Sequence, residues 1–216
     1  LVALDLRDRS HPRLLGQTDV LPGVLNGLVI EEGTQRGWVL AGPVAVDLDL
    51  SDPRRPRESG RADIGYHYRK SANVALSGGR LWVVGSEPAS VLALDIRNPQ
   101  RPGALQSFDI LGGYPGRILN LSGRGDRLYV LAYHPGTRAD DTKARNLLLT
   151  YRVEGSGGPR LLQSQHVPTE EVSSYHGALR WDGDRLWTVV HDQVASWRQD
   201  GSGMALAAHG KGGCFL

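Results

Sequence analysis

Residues 44–56 read VAVDLDLSDPRRP, an alternating apolar run that leads into two prolines three residues apart. Val44, Val46, Leu48 and Leu50 recur at every second position, which is the pattern of a β-strand. Proline fixes φ and cannot donate a ladder hydrogen bond, so the prolines end this strand and make a rigid turn. The stretch therefore predicts a strand followed by a sharp, stiff connection.

The same phrase recurs along the chain. It reads DLRDRSHP at 5–12, DLSDPRRP at 49–56 and DIRNPQRP at 95–102. The leading aspartates are 44 and 46 residues apart, and the closing prolines keep the same spacing. Self-similarity at a fixed period of this length is the signature of a repeat architecture.

A second marker runs in phase with the first: a Gly- or Asp-containing turn followed by an aromatic residue. These aromatic residues are Trp38, Trp82, Tyr129 and Trp187. The turns predict tight hairpins, and the aromatic residues lie on strands, where large flat side chains pack well. Each unit then holds about four strands in roughly 45 residues, the size of a propeller blade. We predict an all-β fold, a β-propeller of four-stranded blades with four to five blades visible.

The predicted organisation is a single β-propeller domain with a fraction of a blade at its start. The segments are 1–20 (the outer half of a blade), blades at 21–64, 65–110, 111–167 and 168–209, and a tail at 210–216. Because Leu1 begins inside a strand pattern, we expect a processed product or part of a longer protein. The ring has few blades, is open, or is completed by another chain or further sequence. An open ring exposes edge strands, which favours a protein partner.

The phrases at 1–16, 44–60 and 91–105 resemble the LVIVD-repeat family of bacterial and archaeal β-propellers, and more broadly the secreted β-propeller-domain proteins. The resemblance implies a propeller, an extracytoplasmic setting (periplasm, secreted or cell surface) and an interaction role. It carries over no catalytic residues, since the repeat motif is structural.

The composition of the chain also limits the classes of partner that it can be expected to bind. The net charge of +2 is too small to indicate nucleic acid, and no apolar run approaches the length that spans a bilayer. Of the basic residues, 22 are arginine and three are lysine, and the single Cys214 excludes an internal disulfide. We expect protein partners, no nucleic acid, at most peripheral membrane contact, no cofactor and no metal.

One face of a propeller carries the loops into the innermost strands and the hairpins between second and third strands. The candidate ligand or partner residues at this channel mouth are His67, Arg69, Lys70, Arg117 and His176. The histidines fit metal ligands, a general base or hydrogen-bonded channel lining, and we favour the lining. The cationic residues fit a carboxylate or phosphate site, or a solvated rim.

Two further surfaces are candidates. An insertion at 133–146 rises from the same face, and its partner-loop candidates are His134, Arg138, Asp140, Asp141 and Lys143. It lacks the oxygen-ligand spacing of a dedicated calcium loop. The opposite face carries a basic set that fits an acidic partner or anionic headgroups, or stays solvated: Arg54, Arg55, Arg57, Arg97 and Arg101.

These observations favour a non-enzymatic propeller that serves as an interaction or structural subunit of a larger extracytoplasmic assembly. The sequence holds no Gly-x-Ser-x-Gly, His-Glu-x-x-His or Walker-type motif. The alternative is an enzyme or small anionic-ligand binder that uses the channel mouth, an analogy from the fold alone.

Overall fold

A computed structural model gives the fold of the chain. It describes residues 1–19, 21–31, 33–65, 73–85, 90–98, 101–113, 116–136, 143–155, 157–170, 172, 177–201 and 203–211. The described residues form strands, turns and connections. Among them there is no helix that is long and apolar enough to cross a membrane.

Within the described ranges, eighteen strands form five antiparallel sheets. The strands are β1 (Val2–Asp5), β2 (Arg13–Gln17), β3 (Leu25–Glu31), β4 (Arg36–Ala41), β5 (Val44–Asp49), β6 (Arg57–Asp63), β7 (Val74–Ser77), β8 (Arg80–Val84), β9 (Ser90–Asp95), β10 (Leu105–Asp109), β11 (Arg117–Arg124), β12 (Arg127–His134), β13 (Arg145–Arg152), β14 (Arg160–His166), β15 (Ala178–Asp182), β16 (Arg185–Val190), β17 (Gln193–Asp200) and β18 (Gly203–Lys211). Four sheets have four strands in sequence order: blade 1 (β3–β6), blade 2 (β7–β10), blade 3 (β11–β14) and blade 4 (β15–β18). The fifth is the two-stranded sheet β1–β2. The predicted β-propeller of four-stranded blades is confirmed.

The blades follow one another through their innermost strands, with β7 in contact with β3 and β11, and β11 in contact with β15. Hydrogen bonds join neighbouring blades along this line: the Asn73 amide donates to Leu119 O at 2.9 Å, and the Asn120 amide donates to Gly177 O at 3.0 Å. The approach is close, because a Cβ on Gly123 would lie 2.0 Å from Leu76 O. The four inner strands thus form one continuous row along the propeller axis, in the order β3, β7, β11 and β15.

The repeated aromatic residue packs each blade against the next one. Trp38, Trp82 and Tyr129 are buried, and each belongs to an apolar cluster shared by its own blade and the following blade. Trp187 occupies the same repeat position in blade 4 but is only partly buried, and its neighbour Val189 is exposed on the same face. Burial of this position therefore depends on a following blade.

The Asp-to-Pro phrases form the turns between third and fourth strands. In each turn the leading aspartate accepts a hydrogen bond from the backbone N–H two residues on, which stabilises the turn locally. These aspartates are Asp5, Asp49 and Asp95. Their pKa values are lowered: that of Asp5 to about 2, chiefly by hydrogen bonds from Arg7, and that of Asp95 chiefly by Arg97. For Asp49 the largest cause is the hydrogen bond from Ser51.

The two-stranded sheet packs on the outer part of blade 1. Leu1 and Leu21 contact a cluster that includes Val46 and Leu48 of β5. A Cβ on Gly16 of β2 would lie 2.3 Å from Arg54 O, so this glycine allows the chains to meet at the Asp-to-Pro turn. The two-stranded sheet therefore packs against blade 1 in the position of a preceding blade.

A buried ion pair lies inside blade 1. Asp47 is fully buried, and its Oδ2 accepts hydrogen bonds from the Arg36 guanidinium and the Ser59 hydroxyl. A buried carboxylate is retained only where such partners offset its desolvation.

Candidate functional site

Most of the predicted channel-mouth residues lie outside the described residues: His67, Arg69, Lys70 and His176, and, from the predicted partner loop, Arg138, Asp140 and Asp141. Arg117 is described at the start of β11, opposite Tyr133 of β12. His134 ends β12, and its Nδ1 accepts a hydrogen bond from Gly136 N at 3.0 Å. Lys143 is exposed in the connection that follows. These sites stay predictions.

The basic set on the opposite face is fully described. Arg54, Arg55, Arg57, Arg97 and Arg101 are all exposed. Two of them have carboxylate partners within the same turn: Arg57 Nε lies 3.4 Å from Asp49 Oδ2, and Arg97 pairs with Asp95. Arg54, Arg55 and Arg101 have no ion-pair partner among the described residues. Exposed pairs of this kind contribute little to stability. Because three of the five exposed arginines have no such partner in the described part of the chain, the set forms a cationic surface.

A cavity of about 400 Å³ opens at the end of the propeller axis where the inner strands finish. Its walls come from the ends of β3, β7 and β11, with Trp181 of blade 4 completing them. The polar side chains in the lining are Glu31, Ser77, Arg80, Ser122 and Arg124. The hairpin Gly78–Gly79 at its rim contacts Arg97 of the basic set, so the cavity and the basic set share one face.

Arg124 bridges blades 3 and 4 beside this cavity. Its guanidinium lies over the Trp181 ring, 4.6 Å from the ring centroid, and its Nη1 donates to Gly183 O at 2.8 Å. Stacking and one hydrogen bond fix the plane of the guanidinium. The other N–H groups of Arg124 have no hydrogen-bond partner among the described residues.

Arg80 supplies a second, buried cation in the lining. It is 3% exposed, and its two terminal nitrogens donate to Gly157 O at 2.9 Å and Gly155 O at 2.7 Å. Backbone carbonyls satisfy these donors, and Asp95 lies opposite Arg80 on β9, with a pKa lowered chiefly by Arg97 and in smaller part by Arg80. The cavity lining thus holds two guanidinium groups and one carboxylate, Glu31.

A row of arginines runs outward from the cavity across blade 3. In register they are Arg124 of β11, Arg127 of β12, Arg152 of β13 and Arg160 of β14. Two carboxylates pair with this row among the described residues, with Arg127 Nε 3.5 Å from Asp126 and Arg152 Nε 3.2 Å from Glu154. Arg127 is 8% exposed, and no described residue forms a hydrogen bond with its Nη1. Burial raises the pKa of Tyr129, and Arg127 and Arg124 oppose that rise, as expected of a positive field.

Exposed apolar side chains concentrate elsewhere, near the start of the chain. Eleven large apolar residues are exposed among the described ones, and eight of these lie between residues 2 and 30: Val2, Leu4, Leu6, Leu14, Val24, Leu25, Leu28 and Ile30. Leu28 is 46% and Ile30 57% exposed on one face of β3. We call β1, β2 and this face of β3 the open edge. A contiguous apolar surface marks an interaction site more often than isolated exposed residues do.

Sequence reasoning missed Arg124, Trp181 and the cavity. The signal present in the sequence was an arginine at the start of each second strand: Arg36, Arg80, Arg127 and Arg185. This arginine identifies the repeat unit, but its position in the sequence does not predict a cavity. Within the described ranges, no three His, Cys, Asp or Glu side chains are grouped as a metal site would require.

Similar proteins share the fold. No protein-family model and no curated protein matches the chain. Among solved structures, a periplasmic gluconolactonase from Pseudomonas aeruginosa matches 98% of this chain with a TM-score of 0.60 and 17% identity. A protein from Lactobacillus plantarum (96%, 0.59, 14%) and a functionally unknown protein from Desulfotomaculum acetoxidans (96%, 0.61, 14%) match similarly.

The chain spans less than two thirds of these structures: 63% of the gluconolactonase, 64% of the Lactobacillus protein and 62% of the Desulfotomaculum protein. At such low identity the matches establish the β-propeller fold and nothing finer.

Proposed function

We propose that the chain is an interaction or structural subunit of a larger extracytoplasmic assembly, and that its partner binds the open edge. The observation that carries this proposal is the concentration of exposed apolar residues on β1, β2 and β3. The resemblance to LVIVD-repeat propellers supports the same reading, and the periplasmic origin of one structural neighbour supports the location.

The occupant we propose is a β-hairpin supplied by a partner protein. The turn between β1 and β2 carries the Asp-to-Pro phrase, which in blades 1 and 2 connects the third strand to the fourth. By this equivalence β1 corresponds to a third strand and β2 to a fourth. In blade 1, the third strand β5 pairs with β4 on its other side, whereas β1 pairs only with β2 among the described strands. Two antiparallel strands added along β1 would complete a four-stranded blade.

The exposed face of β3 fits the same occupant. Leu28 corresponds by register to Leu121 of β11, which is 3% exposed because blade 2 covers it. A hairpin beside β1 would lie against Leu28 and Ile30 in the same way. Its strands should therefore alternate, with apolar residues on the side that faces β3.

The test compares the protein isolated gently from its source with the recombinant chain. Native mass spectrometry reports whether the 23.5 kDa chain carries another subunit. Hydrogen exchange of the amides of Val2–Asp5 then reports whether β1 has gained a neighbouring strand. We expect a complex in which the β1 amides that do not bond to β2 are protected, and rapid exchange of those same amides in the recombinant chain.

Two variants sharpen this test. Ile30→Lys places a charge on the open edge and should abolish both the complex and the protection of β1. Val189→Lys is the matched control, since Val189 is an exposed apolar strand residue on blade 4. A longer, solitary chain with β1 protected, or a complex that survives Ile30→Lys, would overturn the proposal.

The alternative function is an enzyme or small anionic-ligand binder at the channel mouth, with His67, Arg69, Lys70, Arg117 and His176. The likeness to a gluconolactonase supports it at the level of fold only. Lactone hydrolysis, bound metal by elemental analysis and a thermal-shift screen with anionic ligands test it together. Absence of turnover, metal and shift would remove its support.

A further inference from the structure

We propose that the cavity at the end of the inner strands binds a small hydroxylated ligand through its carboxylate or phosphate group, with Arg124 as the principal contact. This site lies at the opposite end of the propeller axis from the predicted channel mouth. It uses different residues from the alternative enzyme site and shares only Ile30 of its lining with the open edge, so its test is run on the chain alone, without a partner.

The cavity has the size and the walls of a ligand site. Its volume of about 400 Å³ falls in the range of roughly 300–1,000 Å³ that small-molecule pockets occupy. Apolar surface comes from Val29, Leu76, Ile96 and Trp181, and a few polar groups converge between them. Such a mixture fixes the orientation of a ligand while excluding much of its surface from water.

Arg124 is preorganised for an anion. Stacking on Trp181 and the bond from Nη1 to Gly183 O hold the guanidinium plane, so little side-chain entropy is lost when a ligand binds. Its remaining N–H donors form a planar fork, the geometry that recognises carboxylate and phosphate oxygens in two parallel hydrogen bonds.

Among the described residues, the cavity lining carries two guanidinium groups and one carboxylate, so the charge of the lining is positive. Arg80 is buried against carbonyl groups, and the arginine row places Arg127 beside Arg124 across β11 and β12. Like charges directly opposite each other in a sheet are destabilising, and Asp126, 3.5 Å from Arg127 Nε, offsets part of that effect. Arg127 Nη1 is buried with no hydrogen-bond partner among the described residues. An anion at Arg124 would offset part of this repulsion.

The other polar groups indicate hydroxyls on the ligand. The Ser77 hydroxyl is buried and has no hydrogen-bond partner in the part of the chain that the structure describes, and Ser122 and the Glu31 carboxylate lie in the same lining. Glu31 would repel a ligand that is anionic throughout but accepts hydrogen bonds from hydroxyl groups. A hydroxy acid or a sugar phosphate satisfies both requirements.

The residues that differ most in chemistry between equivalent positions of the blades also lie at this cavity. At the last position of the inner strand, register aligns residues of unlike chemistry: Glu31, Ser77, Arg124 and Asp182. The position opposite each of them is always arginine. Packing of the repeat therefore does not dictate these inner residues, and three of the four line the cavity.

The experiment is a calorimetric or NMR titration of the 216-residue chain with three probes: gluconate, inorganic phosphate and sorbitol. Sorbitol carries the hydroxyls of gluconate without its charge. We expect gluconate or phosphate to bind with a Kd below about 10 mM and sorbitol to bind at least about tenfold more weakly. Binding of gluconate alone assigns a carboxylate, and binding of phosphate alone assigns a phosphate.

Variants locate the site. Arg124→Gln removes the fork at a position exposed enough to leave the core intact, and should weaken anion binding at least about tenfold. Arg124→Lys keeps the charge but loses the planar fork, and should give an intermediate loss. Arg101→Gln is the control, because it removes an exposed arginine on the same face outside the cavity; its affinity should stay within about twofold of the parent value.

Three outcomes would overturn the proposal. One is the absence of binding by both anions in a chain whose circular dichroism and melting temperature show it to be folded. Another is equal weakening by Arg124→Gln and Arg101→Gln, which would mean diffuse attraction to the basic face. The third is sorbitol binding as tightly as gluconate.

Discussion

Truncation of Trp82 and of Trp187 to alanine should have very different costs, although the two residues share one repeat position. Trp82 is 0% exposed, its indole Nε1 donates to Ser77 O at 3.1 Å, and its ring lies 5.9 Å from that of Phe108. Replacing a buried tryptophan by alanine costs about 3–5 kcal/mol, and leaving the Ser77 carbonyl unpaired favours the upper half of that range.

Trp187 should cost less because its packing partner would be a following blade. It is partly buried, on the face of blade 4 that also exposes Val189. Because Trp187 is only partly buried and no following blade covers it among the described residues, Trp187→Ala should cost about 1–2 kcal/mol. The difference between the variants should therefore be at least about 2 kcal/mol, or roughly 4–8 °C in melting temperature for a chain of this size.

Urea denaturation of both variants, followed by far-ultraviolet circular dichroism and by fluorescence, measures the two free energies. Coincident transitions by both probes would justify a two-state analysis. A loss below about 1 kcal/mol for Trp82→Ala would refute its place between blades 2 and 3. Equal losses in the two variants at high dilution would refute the account of Trp187.

Three further predictions concern the packing and the turns. Gly123→Ala should destabilise the chain by about 1–3 kcal/mol in urea unfolding because its Cβ would lie 2.0 Å from Leu76 O, whereas Gly210→Ala, with open space around it, should be nearly neutral. Arg36→Ala should cost about 3–5 kcal/mol because it leaves the Asp47 carboxylate buried without its cation, and a loss under about 1 kcal/mol would contradict that pairing. Folded-state pKa values are lowered for three turn aspartates, Asp5, Asp49 and Asp95. Their contribution is present above the unfolded value near 3.8 and is lost as pH falls towards about 2, so melting temperature should drop over that window, and less steeply in the triple Asp→Asn variant.

The architecture could be predicted from sequence because the same turn and strand motifs recur in successive blades. The Asp-to-Pro phrase forms the same turn wherever it occurs, and the Asp95 carboxylate accepts the Arg97 N–H just as Asp49 accepts that of Ser51. Hairpin glycines and alternating strands are likewise local signals. These motifs depend on residues close together in sequence, so they can be recognised without knowing how the blades pack. They were therefore sufficient to predict the fold.

The cavity could not be predicted in the same way because its contacts cross between blades. Arg124 meets Trp181 of the next blade, 57 residues later, and the register of β11 shifts at a bulge between Ile118 and Asn120. A one-residue slip would turn Arg124 to the other face of the sheet. The spacing of the repeats predicts neither the bulge nor the angle between blades.

Repetition also separates structural residues from candidate functional ones. A position that is arginine in every blade serves packing that every blade needs, as Arg80 does by donating to the turn of blade 3. The position opposite it on the inner strand lines the cavity in three blades and changes from carboxylate to hydroxyl to guanidinium between Glu31, Ser77 and Arg124. If packing alone governed that position, one residue type would serve in each blade. The ligand proposed above, with an anionic end and hydroxyl groups, would use this variation, because each of the three blades would present a different polar group to a different part of one molecule.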